Sequence, residues 1–263
     1  MEQTTRRGAL KLAAAGATAR LLIADAHKEH PTVTDTFPLQ PPELIREVVT
    51  VAHFNLDRLR ELVDERPSLA RAAWDWGFGD WETALGAASH MGNRPIAEYL
   101  LSKGARPTLF SAAMLGQIGV VKAFVIAQPG VERIAGPHSI SLLAHAHAGG
   151  ELAQPVFDYL KSLGDAGGTA ETPLSDGDRS SILGSYPFGP RENDRIEIAI
   201  DHGMLTWTRK GTTARPLHHL GDRVFYPAGA VDVRISFVES GGHITMTVSD
   251  PQPILTAARM PAA

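Results

Sequence analysis

The stretch from Asp80 to Pro107 constrains this chain more than any other feature. Within it, Thr83-Ala84-Leu85 leads, Ala87-Ala88 follows, Gly92 breaks the pattern, Ile96–Leu101 resumes it and Gly104-Ala105 ends it. This spells two short helices joined by one glycine turn and closed by another. Small Ala87 and Ala88 let neighbouring helices approach, Gly92 and Gly104 suit positive φ at helix ends, and Thr83 suits an N-cap. Leu85, Ile96, Leu100 and Leu101 form an apolar stripe that only a neighbouring unit of the same kind can cover. Partial copies stand at Val51–Val63, Phe110–Val125 and Leu142–Leu160, with turn positions Asn55, Gly92, Gly116 and Gly149 spaced 37, 24 and 33 residues apart. The first step is long and the second short.

This pattern closely resembles the ankyrin repeat, whose period is ~33 residues; against that period the resemblance implies an extended finger in the long first step and loss of the usual finger in the short second one. Thr83-Ala84-Leu85 stands where that family has Thr-Pro-Leu. The resemblance implies an α-helical solenoid of about four repeats over residues 42–164, above the rough minimum of about three for a continuous core. It also implies a concave face, lined by fingers and inner helices, that binds another molecule. The competing reading is a non-repetitive helical domain with chance alanine pairs.

Trp74, Trp76, Phe78 and Trp81 crowd the long finger, among glycines and aspartates that mark a turn; three of the four tryptophans of the chain are here. Tryptophan couples a large apolar body to one N–H donor and is enriched in binding hot spots. The cluster is therefore either a binding platform or an intramolecular packing element. His90 and Met114, at corresponding places in the second and third units, complete the candidate binding set.

Residues 1–26 have the order of an export signal: Arg6-Arg7, an alanine-rich apolar middle, and the small-x-small triplet Ala24-Asp25-Ala26. Thr5–Lys11 resembles the bacterial twin-arginine signal, with Ala9 where a phenylalanine is usual and Arg20 interrupting the apolar stretch. The expectation is export of a folded chain to the periplasm or beyond, the alternative being a retained cytoplasmic protein. Residues 27–41 read as an extended, proline-rich leader.

After a small, polar linker at 165–178 the period changes to alternation. Arg195–Ile200, Met204–Thr208, Arg215–Leu220, Arg223–Pro227, Val231–Val238 and His243–Val248 read as short strands parted by turns. They predict a small antiparallel barrel or curved sheet over 179–260. The order of Leu183–Tyr186, Gly203–Trp207 and Phe225–Pro227 resembles the lipocalin-like modules that follow bacterial serine-hydrolase and β-lactamase-like domains. That resemblance implies an accessory module without catalytic residues. The fold class expected is thus α+β and multidomain.

The sequence offers little chemistry on local spacing. The absence of cysteine excludes disulfides and thiolate metal sites. A net charge of -4 gives no general attraction to nucleic acid, and no apolar run reaches the ~18 residues of a membrane span. His145 and His147 are two apart on a helix, and His218-His219 alternate across a strand, so neither pair chelates. His53, His90 and His145 recur near the same place in three units, where hydrogen bonds between loops are the expected role. No nucleophile elbow, zinc-protease helix or phosphate-binding loop is present. The function expected is non-catalytic binding of a protein or small ligand, with no cofactor and no metal. Two alternatives remain: an enzyme whose site lies in the groove between solenoid and β domain, marked by convergent His and Asp with shifted pKa values, and a carrier of apolar ligands in the barrel.

Overall fold

A computed structural model describes residues 37–167 and 172–261; the proposed signal and most of the leader lie outside these residues. From Gln40 onward the described residues form one compact unit.

The first half is four successive helix pairs: α1 (Pro42–Val51) with α2 (Leu56–Glu65), α3 (Ala84–His90) with α4 (Arg94–Ser102), α5 (Leu109–Met114) with α6 (Ile118–Ala127), and α7 (Leu142–Ala148) with α8 (Gln154–Leu163). Side chains supply the N–H partners that helix starts lack. Thr83 accepts from Gly86 N at 2.9 Å, and Thr108 and Ser111 cap each other reciprocally. The first helices of the pairs pack on one another in chain order, and α3 also reaches α7. That close approach explains Gly92: at φ 68° it forms the turn after α3, and a Cβ there would lie 2.1 Å from the Ala148 carbonyl oxygen. Val48, Leu59, Leu85, Ile96, Leu100 and Met114 are buried in one core shared by the first units. Leu109, Val121, Leu142, Val156 and Leu160 build a second.

The long finger is a hairpin of β1 (Ala73–Asp75) and β2 (Trp81–Thr83), with Trp74 opposite Glu82. Gly77, Phe78 and Gly79 all take positive φ at its tip. Between α4 and α5 no strand intervenes.

The second half begins with α9 (Asp176–Ile182), started by Ser175, whose hydroxyl accepts from Asp178 N. This helix straddles the end of the expected linker. Eight antiparallel strands follow in sequence order: β3 (Gly184–Pro187), β4 (Arg195–Asp201), β5 (Met204–Arg209), β6 (Arg215–Gly221), β7 (Val224–Pro227), β8 (Arg234–Ser240), β9 (His243–Asp250) and β10 (Gln252–Ala258). The last strand returns to the first, where Met260 N donates to Ser185 O at 2.9 Å, so the meander is a nearly closed barrel. Tyr186, Ile196, Trp207, Phe225, Phe237 and Met246 face inward and fill it. The chain is therefore α+β. Among the described residues no helix is long and apolar enough to cross a membrane.

Candidate metal centre

Four segments far apart in sequence meet beside the finger. His53 follows α1, Glu82 is the middle residue of β2, His90 ends α3, and His138 sits in the loop between α6 and α7. One nitrogen or oxygen from each lies within 4.8 Å of all the others. Glu82 is the hub and is fully buried. His90 Nε2 is 2.9 Å from its Oε1, while His53 Nε2 and His138 Nε2 are 3.5 and 3.4 Å from its Oε2. The Trp76 indole N–H donates to Oε2 at 2.8 Å. Strand alternation places Glu82 here: Trp81 and Thr83 point to solvent, so the residue between them points in.

The far nitrogens of two imidazoles are also fixed. Nδ1 of His53 lies 3.0 Å from the carbonyl oxygens of both Val49 and Thr50. These can only accept, so Nδ1 carries the hydrogen and Nε2 keeps a lone pair when the ring is neutral. Nδ1 of His138 donates to Asp80 Oδ2 at 2.7 Å. Asp80 accepts as well from His138 N at 3.0 Å and from Arg215 Nη2 at 3.2 Å. A carboxylate behind an imidazole is the arrangement that orients histidine ligands on metals. His138 holds φ 57° and Ser139 φ 61°, a conformation unusual for residues with side chains and one that functional loops retain when their surroundings enforce it. Here Asp80 holds the first residue, and Gly229 N donates to Ser139 Oγ at 2.7 Å.

Electrostatics follow from burial and contact. Burial raises the Glu82 carboxyl, but hydrogen bonds from His138 and His90 and the nearby imidazoles outweigh it and leave it at about 2. Burial lowers His138, yet its hydrogen bonds and charge attraction to Asp80 and Glu82 lift it to about 9. Asp80 is held below the carboxylate range by His138 and Arg215 against the opposing effect of its own burial. His53 is lowered, burial being the main cause. Without metal, His138 is thus an imidazolium between two carboxylates. Behind the group, His145 is driven down to about 4 by burial; its Nδ1 donates to Ser141 O, and its buried Nε2 has no hydrogen-bond partner among the described residues.

Three imidazoles and one carboxylate suit zinc or another first-row transition ion rather than magnesium or calcium, which prefer all-oxygen shells. Ligands ~2.1 Å from such an ion stand ~3–4 Å apart, within small side-chain rotations of the observed set. The expectation that no residues ligate a metal rested on local spacing, and this set has none. His53 and His90, expected to bridge loops, do come together here, their rings 5.0 Å apart. Glu82 and His138 carried no sequence signal of their own; the outward Trp81 and inward Glu82 are visible only once β2 is formed.

The other expected site residues divide. Trp74 and Trp76 pack on the helical core. Phe78 leans on Trp207 of the barrel at 5.4 Å. Met114 is completely buried and offers no surface to a partner, while Trp81 is 65% exposed. His90 joins the cluster. His147 is exposed while His145 two residues away is buried, as their helical spacing requires. In comparisons with known proteins, no family model, no curated protein and no solved structure matches the chain.

Proposed function

We propose that this chain binds one divalent transition-metal ion through His53, Glu82, His90 and His138 and presents it to a small molecule in the groove beside the barrel. The reading rests on one observation: three imidazole Nε2 atoms gather on a fully buried glutamate, with the opposite nitrogens of His53 and His138 committed to acceptors. Ankyrin-type stacking of the helix pairs supplies the scaffold; the paired short helices, the small residues of α3 and the glycine turns support it. Convergent His, Asp and Glu with shifted pKa values favour the enzyme alternative over a passive binding module. The filled barrel interior gives the carrier alternative no support.

The direct test is titration of chelator-treated protein with Zn²⁺ and, for its visible spectrum, Co²⁺. One ion per chain is expected, with cobalt bands indicating nitrogen ligation, and loss of both in the His53→Ala, His90→Ala double variant while helical circular dichroism persists. A folded wild type that takes up neither ion refutes the reading. Export, as residues 1–26 imply, would let the chain fold before it leaves the cytoplasm; a mature N-terminus near His27 is then expected from sequencing of the secreted form.

The exposed Trp81 favours a second, compatible reading, in which the finger touches a protein partner. Trp81→Ala would weaken such an association without changing metal uptake.

A further inference from the structure

A cavity of about 390 Å³ lies against the candidate centre. Two residues connect the two. His138 forms part of the cavity wall and part of the cluster, and the Trp76 ring lines the cavity while its N–H holds Glu82. The remaining wall is largely apolar, with Ile140 from the helical side and Met204, Pro216 and Ala228 from the barrel side. Arg215 at its margin is buried and already bonded to Asp80 and to the Ala228 carbonyl. Ligand sites combine such apolar walls with a few fixed polar groups, and ~300–1,000 Å³ is their usual range. This cavity sits at the small end. Its polar lining is sparse: the edge of the cluster at His138 and Trp76, with Thr213, Arg215 and His218 from the barrel side.

We propose that the cavity takes a small molecule with an apolar, ring-sized body and a single oxygen-donor head, such as a carboxylate or hydroxamate, the body against Trp76 and Met204 and the head on the ion. The inference rests on the metal reading above. An apolar body gains by leaving water, and the head would enter as a further ligand beside the four side chains, an expansion that zinc sites allow. Neither a long chain nor a highly charged molecule fits these walls.

The test compares benzohydroxamate with acetohydroxamate, which share a chelating head and differ in the ring. Both are titrated calorimetrically into the zinc-loaded full chain, after zinc alone has been titrated into the metal-free chain. Benzohydroxamate is expected to bind at least about tenfold more tightly, equivalent to about 1.4 kcal/mol. Ala214→Trp, in the loop before β6 and on the cavity wall, should erase that preference and leave zinc affinity unchanged. Met204→Trp serves the same purpose from a half-exposed strand position if Ala214→Trp does not fold. Equal binding of the two hydroxamates to wild type overturns the cavity inference and spares the metal reading. A preference that survives both cavity-filling variants overturns it too. Failure of zinc alone to bind removes both.

Discussion

Asp80 illustrates how much a single carboxylate can organise. It fixes the ring of His138, caps the backbone N–H of the same residue and neutralises the buried Arg215. Asp80→Asn keeps the shape but removes the charge behind the imidazole. Metal affinity should fall about 10–100-fold, the range for partners that orient metal-bound histidines; an unchanged dissociation constant in calorimetry would contradict the assignment. The same residues set the pH response of the metal-free chain. His138 rises in the fold from 6.5 to about 9, so its contribution to stability is complete below 6.5 and is lost as pH climbs through 9. Glu82 falls from 4.5 to about 2, so its contribution is present above 4.5 and is lost as pH drops towards 2. His145, driven down to about 4, contributes stability that is present above 6.5 and is lost as pH falls towards 4, so urea midpoints of chelator-treated protein should be highest near pH 6.5. Metal uptake runs the other way on the alkaline side. It must displace the His138 proton, so affinity should rise between pH 6.5 and 9 with proton release measurable in buffers of different ionisation enthalpy.

At the level of elements, the helical half was largely legible. Thr83 caps α3, and Gly92 and Gly104 take positive φ as their residue types required. The alternating runs from Arg195 to Val248 lie on β4 to β9. Strand β10 was not legible, because Pro251 and Pro253 break its pattern and its pairing with β9 supplies the order instead. Helix α9 was hidden in the polar linker, although Ser175 followed by Asp178 is a cap signature. The site was mostly illegible for a physical reason. Its four residues come from a turn, a strand, a helix end and a loop, and only the tertiary fold measures distances between those. Two glycines test the loop that clamps Asp80 from the barrel. Gly229 and Gly203 hold φ 83° and 81°; a Cβ at the first would lie 2.1 Å from the Asp80 carboxyl carbon, and at the second would meet nothing within 4 Å. Gly203→Ala should show only the conformational cost of about 1 kcal/mol. Gly229→Ala should lose clearly more stability and also metal affinity; equal thermal shifts would show that the clamp does not matter.

Across the whole molecule, helices and barrel are joined through the site rather than merely placed in tandem. Arg215 of β6 bonds Asp80 of the finger, Phe78 rests on Trp207, and Gly229 bonds Ser139. Unfolding should accordingly be a single event, with helical circular dichroism and tryptophan fluorescence tracing coincident curves. Arg215→Met leaves Asp80 without its cationic neighbour in the barrel and should separate the two curves; coincident, unshifted curves in that variant would show the linkage to be energetically idle.

The wide separation of the ligands along the chain carries one more consequence. His53 and His138 are 85 residues apart, and an ion gripping both staples a long loop, the kind of closure that removes most freedom from an unfolded chain. At a free concentration of 100 times its dissociation constant, such an ion adds about 2.7 kcal/mol to the folded state. Starved of the ion, the same polypeptide would be softer and sooner digested.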